Sequence, residues 1–183
     1  MSRLLDRGDS VLVVIDVQEA YRDKTLQHER MVRGVRTLVG AAQVMDVPVL
    51  VTEQYPKGLG STQPEVATRL PAGVPIIEKL SLSCCGQPEF VERLTALRRW
   101  QIVVCGIEAH ACVNQSAHEL IALGYQVHIP YDAISARFED DYRVAWEKMV
   151  GSGAVPSTVE MVCLEWVRSA GSAEFKAIQK LIK

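Results

Sequence analysis

The segment Val11-Leu12-Val13-Val14-Ile15 is apolar at every position, the pattern of a strand covered on both faces of a parallel sheet rather than one with a wet side. Runs of the same kind recur at residues 47–52, 74–77, 102–105, 125–129 and 159–163, so six strands are expected. Helical spacing fills the intervals at residues 27–45, 88–97, 112–123, 140–151 and 172–182. Gly124 after Leu123 reads as a helix C-cap feeding the fifth strand. Strands joined through helices need crossovers, and crossovers are right-handed. The expectation is therefore an α/β three-layer, Rossmann-like fold: a six-stranded, mostly parallel sheet with helices on both faces. At 183 residues the chain fits one domain, 1–183. In such sheets a ligand crevice lies at the carboxyl ends of the strands.

The residues just past each strand are therefore the candidates for chemistry. Asp16 comes directly after the first strand, Lys79 after the third, and Cys112 sits where the loop after the fourth becomes a helix. Singly, each has a structural explanation. Asp16 can cap a turn, Lys79 can be a solvated strand-end charge, and Cys112 can be a small buried filler. Together they form a chemical unit. A thiol near a helix N-terminus and a cation is expected to titrate below its free value of about 8.5. A carboxylate beside it can take the thiol proton and return it to a leaving group. Gln18, Tyr21, Gln54 and Tyr55 come after the first two strands and are candidate pocket lining, each equally open to a structural role.

Other features exclude alternatives. The net charge is −2, so neither a nucleic acid nor an anionic membrane is an expected partner. Five cysteines, an odd number with two adjacent and no CxxC, make a poor disulfide framework and are read as reduced thiols. The four histidines lack metal-ligand spacing, so no metal and no cofactor are expected. The N-terminal residues carry no apolar leader, and no uncharged run approaches 18 residues, which implies a soluble, cytoplasmic protein. Gly58-Leu59-Gly60-Ser61-Thr62-Gln63 lacks the third glycine of a dinucleotide fingerprint. His110 lies two residues from Cys112, a poor spacing for a shared proton, and reads as a rim residue.

Three motifs carry a family resemblance: Val14-Ile15-Asp16-Val17-Gln18; Glu78-Lys79 with Ser83 shortly after; and Cys105-Gly106-Ile107-Glu108-Ala109-His110-Ala111-Cys112-Val113. Over nearly its whole length the chain resembles the isochorismatase-like cysteine hydrolases, which include nicotinamidases and carbamoylsarcosine amidohydrolases. Thr52-Glu53-Gln54-Tyr55-Pro56-Lys57-Gly58-Leu59-Gly60, with Glu165-Trp166-Val167 and Glu174-Phe175, is most similar to the small single-domain members. The resemblance implies Cys112 as nucleophile, Asp16 as general base and then acid, and Lys79 as the group that lowers the thiol pKa and holds the carboxylate. It also implies a cis peptide between Ile107 and Glu108, with the backbone N–H groups of Glu108 and Cys112 forming an oxyanion hole.

Two departures narrow the chemistry. The Asp-x-His-x-x-His metal pattern of nicotinamidases has no counterpart in Gln54-Tyr55-Pro56-Lys57-Gly58-Leu59. Siderophore isochorismatases lack the nucleophilic cysteine that Cys112 supplies. The expected activity is hydrolysis of a small amide or related acyl compound through a thioester. The alternatives are a non-catalytic oligomeric interaction protein that retains the fold, and a flavodoxin-like redox protein. A homo-oligomer is expected, with residues 159–166 as a candidate contact.

Overall fold

The structure, a computed structural model, describes residues 3–183; Met1 and Ser2, which begin the segment read for a leader, lie outside it. Its centre is a seven-stranded sheet in which every pairing is parallel. The strands are β1 (Ser10–Ile15), β2 (Val49–Gln54), β3 (Ile76–Lys79), β4 (Gln101–Ile107), β5 (Gln126–Pro130), β6 (Ile134–Ser135) and β7 (Val155–Ser157). Their order is β3-β2-β1-β4-β5-β7, and β6 pairs with the far end of β4 at Gly106 and Ile107. β1 and β4 lie at the centre and are buried at every position, in keeping with the apolar runs Val11–Ile15 and Ile102–Cys105.

Among the described residues the α-helices are α1 (His28–Val44), α2 (Pro56–Leu59), α3 (Pro64–Ala67), α4 (Pro88–Ala96), α5 (Asn114–Ala122), α6 (Glu139–Gly151), α7 (Val159–Val167) and α8 (Ala173–Ile182). Alternate residues of β1 supply the two cores. Leu12 and Val14 pack with Met31, Val35 and Leu38 of α1, Trp166 of α7 and Ile178 of α8. Val11, Val13 and Ile15 pack with Phe90 of α4, Leu120 of α5 and Met149 of α6. Gly34 lets α1 lie close to the turn after β5, where a Cβ would stand 2.8 Å from the Asp132 carbonyl.

Residues 159–163 are not a strand. They are the first half of α7, which Thr158 caps by accepting from the Met161 N–H, and the sheet position expected for them belongs to β7. A short run apolar on nearly every side has the same appearance whether it is a buried strand or a buried helix. α7 also buries Val159, Val162, Cys163, Trp166 and Val167 in the protein's own core, leaving Met161 and Leu164 exposed. Most of the apolar surface expected to make an oligomer contact is therefore already used. Residues 55–73, whose sequence shows no regular pattern, contain α2 and α3.

Candidate active site

The carboxyl ends of β1, β2 and β3 and the start of α5 bring the reactive residues together. Asp16 turns the chain directly after β1 with φ +52°, a left-handed conformation that aspartate tolerates better than most residues. Lys79 ends β3, and its Nζ lies 2.6 Å from Asp16 Oδ2. The ammonium also donates to the carbonyls of Ser81 (3.2 Å) and Leu82 (3.0 Å), so each of its three protons has an acceptor. The Lys79 and Asp16 side chains are 0% and 2% exposed, which overturns the solvated strand-end explanation of Lys79. Burial opposes the lysine charge, but the Asp16 carboxylate and the Cys112 and Cys84 sulfurs outweigh it and hold Lys79 above its ordinary value.

Thr52 completes the carboxylate's surroundings, and the sequence reading does not single it out. Its hydroxyl donates to Asp16 Oδ1 at 2.7 Å, while its carbonyl accepts the Asp16 N–H at 3.1 Å. The available signal is a hydroxyl residue near the carboxyl end of the neighbouring strand. Gly106 is a second omission. Its φ is +118°, and a Cβ there would stand 2.0 Å from the Ile15 carbonyl oxygen, so glycine alone lets β4 pass this close to the residue before Asp16.

Cys112 lies in a π-helical turn, Ala109–Val113, that runs into α5. Its thiol donates to Gln54 Oε1 at 3.0 Å. Burial, then the negative charge of Asp16, push the thiol up to about 12, and the pull of Lys79 does not prevail. The direction is opposite to the expected lowering of the thiol: Lys79 does pull it down, but burial and the Asp16 carboxylate outweigh that pull and favour the neutral thiol. Cys84 is fully buried nearby, 3.8 Å from the Thr52 hydroxyl, and all five cysteines are free.

The remaining expected residues take distinct places. Gln18 is fully buried and uses its carboxamide on backbone, accepting from Gln54 N (2.8 Å) and donating to Gln54 O (3.0 Å) and Gly60 O (2.6 Å). It fixes the segment that carries Gln54. Tyr21 is half-buried, and burial, then the charges of Glu108, Cys112 and Asp16, raise its hydroxyl to about 12. Tyr55 is 53% exposed and lies at the outer rim, its N–H donating to the Lys79 carbonyl. The Ile107–Glu108 peptide is cis, and the buried Glu108 carboxylate accepts from Arg137 Nε at 2.7 Å. His110 approaches Asp141 on α6 at 4.0 Å. Among the described residues no group of three histidine, cysteine, aspartate or glutamate side chains is placed to hold a metal ion.

The chain is similar to known proteins over its whole length. Residues 10–161, which span the sheet from β1 to β7 and carry Asp16, Lys79 and Cys112, match the Isochorismatase domain. The chain belongs to the isochorismatase family of hydrolases. It is 39% identical over 187 residues to the secreted isochorismatase effector Isc1 of Phytophthora sojae, covering 100% of this chain and 88% of that protein. It is 38% identical over 177 residues to human isochorismatase domain-containing protein 2, covering 96% and 84%. The structure described as the MAR1 ribonuclease of Caenorhabditis elegans superposes with a TM-score of 0.93 at 35% identity, over 98% of this chain and 92% of that one. The YcaC gene product of Escherichia coli, described as an octameric hydrolase of unknown specificity, has the same fold with a TM-score of 0.93 at 22% identity, over 100% and 90%.

Proposed function

We propose that this isochorismatase-family member is a cysteine hydrolase that cleaves a small amide, or a related acyl compound, through a thioester on Cys112. The observation that carries the reading is the buried Asp16–Lys79 pair, 2.6 Å between charged atoms, set beside a buried thiol. A protein that only holds its shape gains nothing from burying an ammonium and a carboxylate next to a nucleophile, because desolvating both charges is costly.

The protonation states dictate the steps. Asp16, held by Lys79 and Thr52, takes the thiol proton as sulfur attacks the substrate carbonyl. The backbone N–H groups of Glu108 and Cys112 are the candidate donors to the developing oxyanion, each worth about 3 kcal/mol at such a position. Asp16 then gives its proton to the departing amine, leaving the acyl group on sulfur. Water, deprotonated by Asp16, hydrolyses the thioester and restores the thiol. We further propose that the protein is a cytoplasmic homo-oligomer acting on a small molecule.

The C. elegans relative is described as a ribonuclease, whereas this chain, with net charge −2, offers no cationic excess to an RNA backbone. Ammonia release from a panel of small primary amides, with an RNA-cleavage arm run in parallel, tests the proposal on wild type and Cys112→Ala. Amide turnover lost in Cys112→Ala supports it. Turnover that survives without the thiol, or RNA cleavage with no amide turnover, overturns it.

A further inference from the structure

Gln54 is a polar side chain in hydrogen-bond contact with the proposed nucleophile, yet none of the catalytic steps uses it. Its Oε1 accepts the Cys112 thiol hydrogen at 3.0 Å. Its Nε2 faces another acceptor, the Leu80 carbonyl, at 3.4 Å, so the neighbours dictate the orientation of the carboxamide. The residue is also fixed at its base. Gln18 clamps the Gln54 N–H and C=O, and Gln54 is the last residue of β2, paired in register with Lys79. A preorganised acceptor therefore stands one hydrogen bond from the reacting sulfur.

We infer that Gln54 is a specificity-determining residue: its Oε1, occupied by the thiol hydrogen at rest, accepts an N–H of the scissile amide once the substrate is bound. The inference rests on the cysteine-hydrolase reading and names its substrate class, an amide bearing at least one N–H on the nitrogen that leaves. When the thiol proton passes to Asp16, Gln54 Oε1 loses its donor. Sulfur bonded to the carbonyl carbon brings that carbon's substituents about as near to Oε1 as the thiol hydrogen is now. An amide N–H refills the acceptor, while an ester oxygen or an N,N-dialkyl nitrogen offers it no donor at the half-buried Gln54 carboxamide. Sites that hydrogen-bond a substrate N–H discriminate strongly against analogues without it. The arrangement also orients the nitrogen, with its N–H toward Gln54 and its lone pair left for the proton from Asp16.

Three probes with one acyl group separate the possibilities: 4-nitroacetanilide, N-methyl-4-nitroacetanilide and 4-nitrophenyl acetate. In each case the C–S bond forms at Cys112 as the bond to the leaving nitrogen or oxygen breaks. The thiol proton leaves through Asp16 with 4-nitroaniline, its N-methyl derivative or 4-nitrophenol, and acetyl-Cys112 is read by mass spectrometry. Wild type is expected to be acylated by the anilide and the ester and to disfavour the N-methyl anilide. Gln54→Met, similar in length but with no acceptor oxygen, is expected to lose about tenfold on the anilide while the ester rate stays or rises, tenfold being the scale of one lost hydrogen bond. Gln54→Glu keeps an acceptor oxygen and is expected to retain the anilide-to-ester ratio of wild type. Equal loss on anilide and ester, no loss on either, or a wild type acylated by the ester alone overturns the inference and leaves the hydrolase reading standing. A wild-type Cys112 acylated by none of the three removes that reading itself.

Discussion

Lys79 Nζ and Asp16 Oδ2 stand 2.6 Å apart with both side chains withdrawn from water, Lys79 completely and Asp16 to 2% exposure. A pair of this kind is costly to break from one side, because the survivor is left charged and dry. Removing one partner of a buried ion pair costs about 3–5 kcal/mol, whereas a neutral replacement of both is far milder. Lys79→Met and Asp16→Asn should each lower stability to urea by about that much, and the double variant should lose clearly less than the sum. Additive losses would show that the two groups do not depend on each other.

Thr52 is the other support of the carboxylate, and its effect should fall more on catalysis than on stability. Thr52→Val keeps the shape and removes the donor to Asp16 Oδ1. The freed oxygen is buried, so proton transfer at Asp16 is altered by about 1–3 kcal/mol. The expected outcome is a fall in kcat/KM of about tenfold, with KM little changed and the unfolding midpoint shifted by less than for Lys79→Met. A larger stability loss than for Lys79→Met would mean Thr52 is chiefly structural.

The alternation of apolar runs and helical spacing makes the sheet legible from sequence, and with it the carboxyl-end placement of Asp16, Lys79 and Cys112. The features that stay hidden depend on contacts between segments distant in the chain. Thr52 matters because β2 lies beside β1 in the register that brings it to Asp16, and the contact of Gln54 with the thiol, beyond its expected place in the pocket lining, follows from the pairing of β2 with β3 that sets it level with Lys79. Gly106 matters because β4 passes the Ile15 carbonyl too closely for a Cβ. The state of the Cys112 thiol escapes the sequence because proximity of a cation is legible there, but the prior claim of Asp16 on that cation is not. Residues 159–163 read as a strand because an all-but-apolar pentapeptide carries no period; Thr158 as a helix cap is the signal that separates the two.

His128 gives the fold a defined acid sensitivity. It is buried on β5, and burial lowers it from 6.5 to about 4. The folded protein thus binds this proton less readily than the unfolded chain, whose histidine titrates near 6.5. The contribution is fully present above about pH 6.5 and is lost as pH falls through 4, by an amount on the order of 3 kcal/mol. Urea midpoints between pH 7 and pH 4 should fall steeply in wild type and less steeply in His128→Leu. Identical slopes would show that other groups govern the acid limb.

Asp16→Asn offers the sharpest separation of thiol reactivity from turnover. In the wild type, burial and the Asp16 charge hold the Cys112 thiol near 12 while Lys79 draws it the other way. Replacing the carboxylate with an amide removes the repulsion and leaves the ammonium facing the sulfur, its other two acceptors being the neutral carbonyls of Ser81 and Leu82. The thiolate fraction at neutral pH must then rise. Alkylation of Cys112 by iodoacetamide at pH 7.5, with peptide mapping afterwards, should be at least about tenfold faster than in wild type, a shift of one pKa unit. Cys85, half-buried and pushed only to about 11, serves as the internal reference, since Asp16 does not act on it. Amide turnover in the same variant should fall by about 10²–10⁴-fold, because the group that carries the proton to the leaving amine is gone. A faster nucleophile in a slower enzyme is the signature of a base that works by accepting the proton during attack. If Asp16→Asn slows alkylation as well as turnover, Asp16 activates the thiol before substrate arrives, and the neutral resting state assigned to Cys112 is wrong.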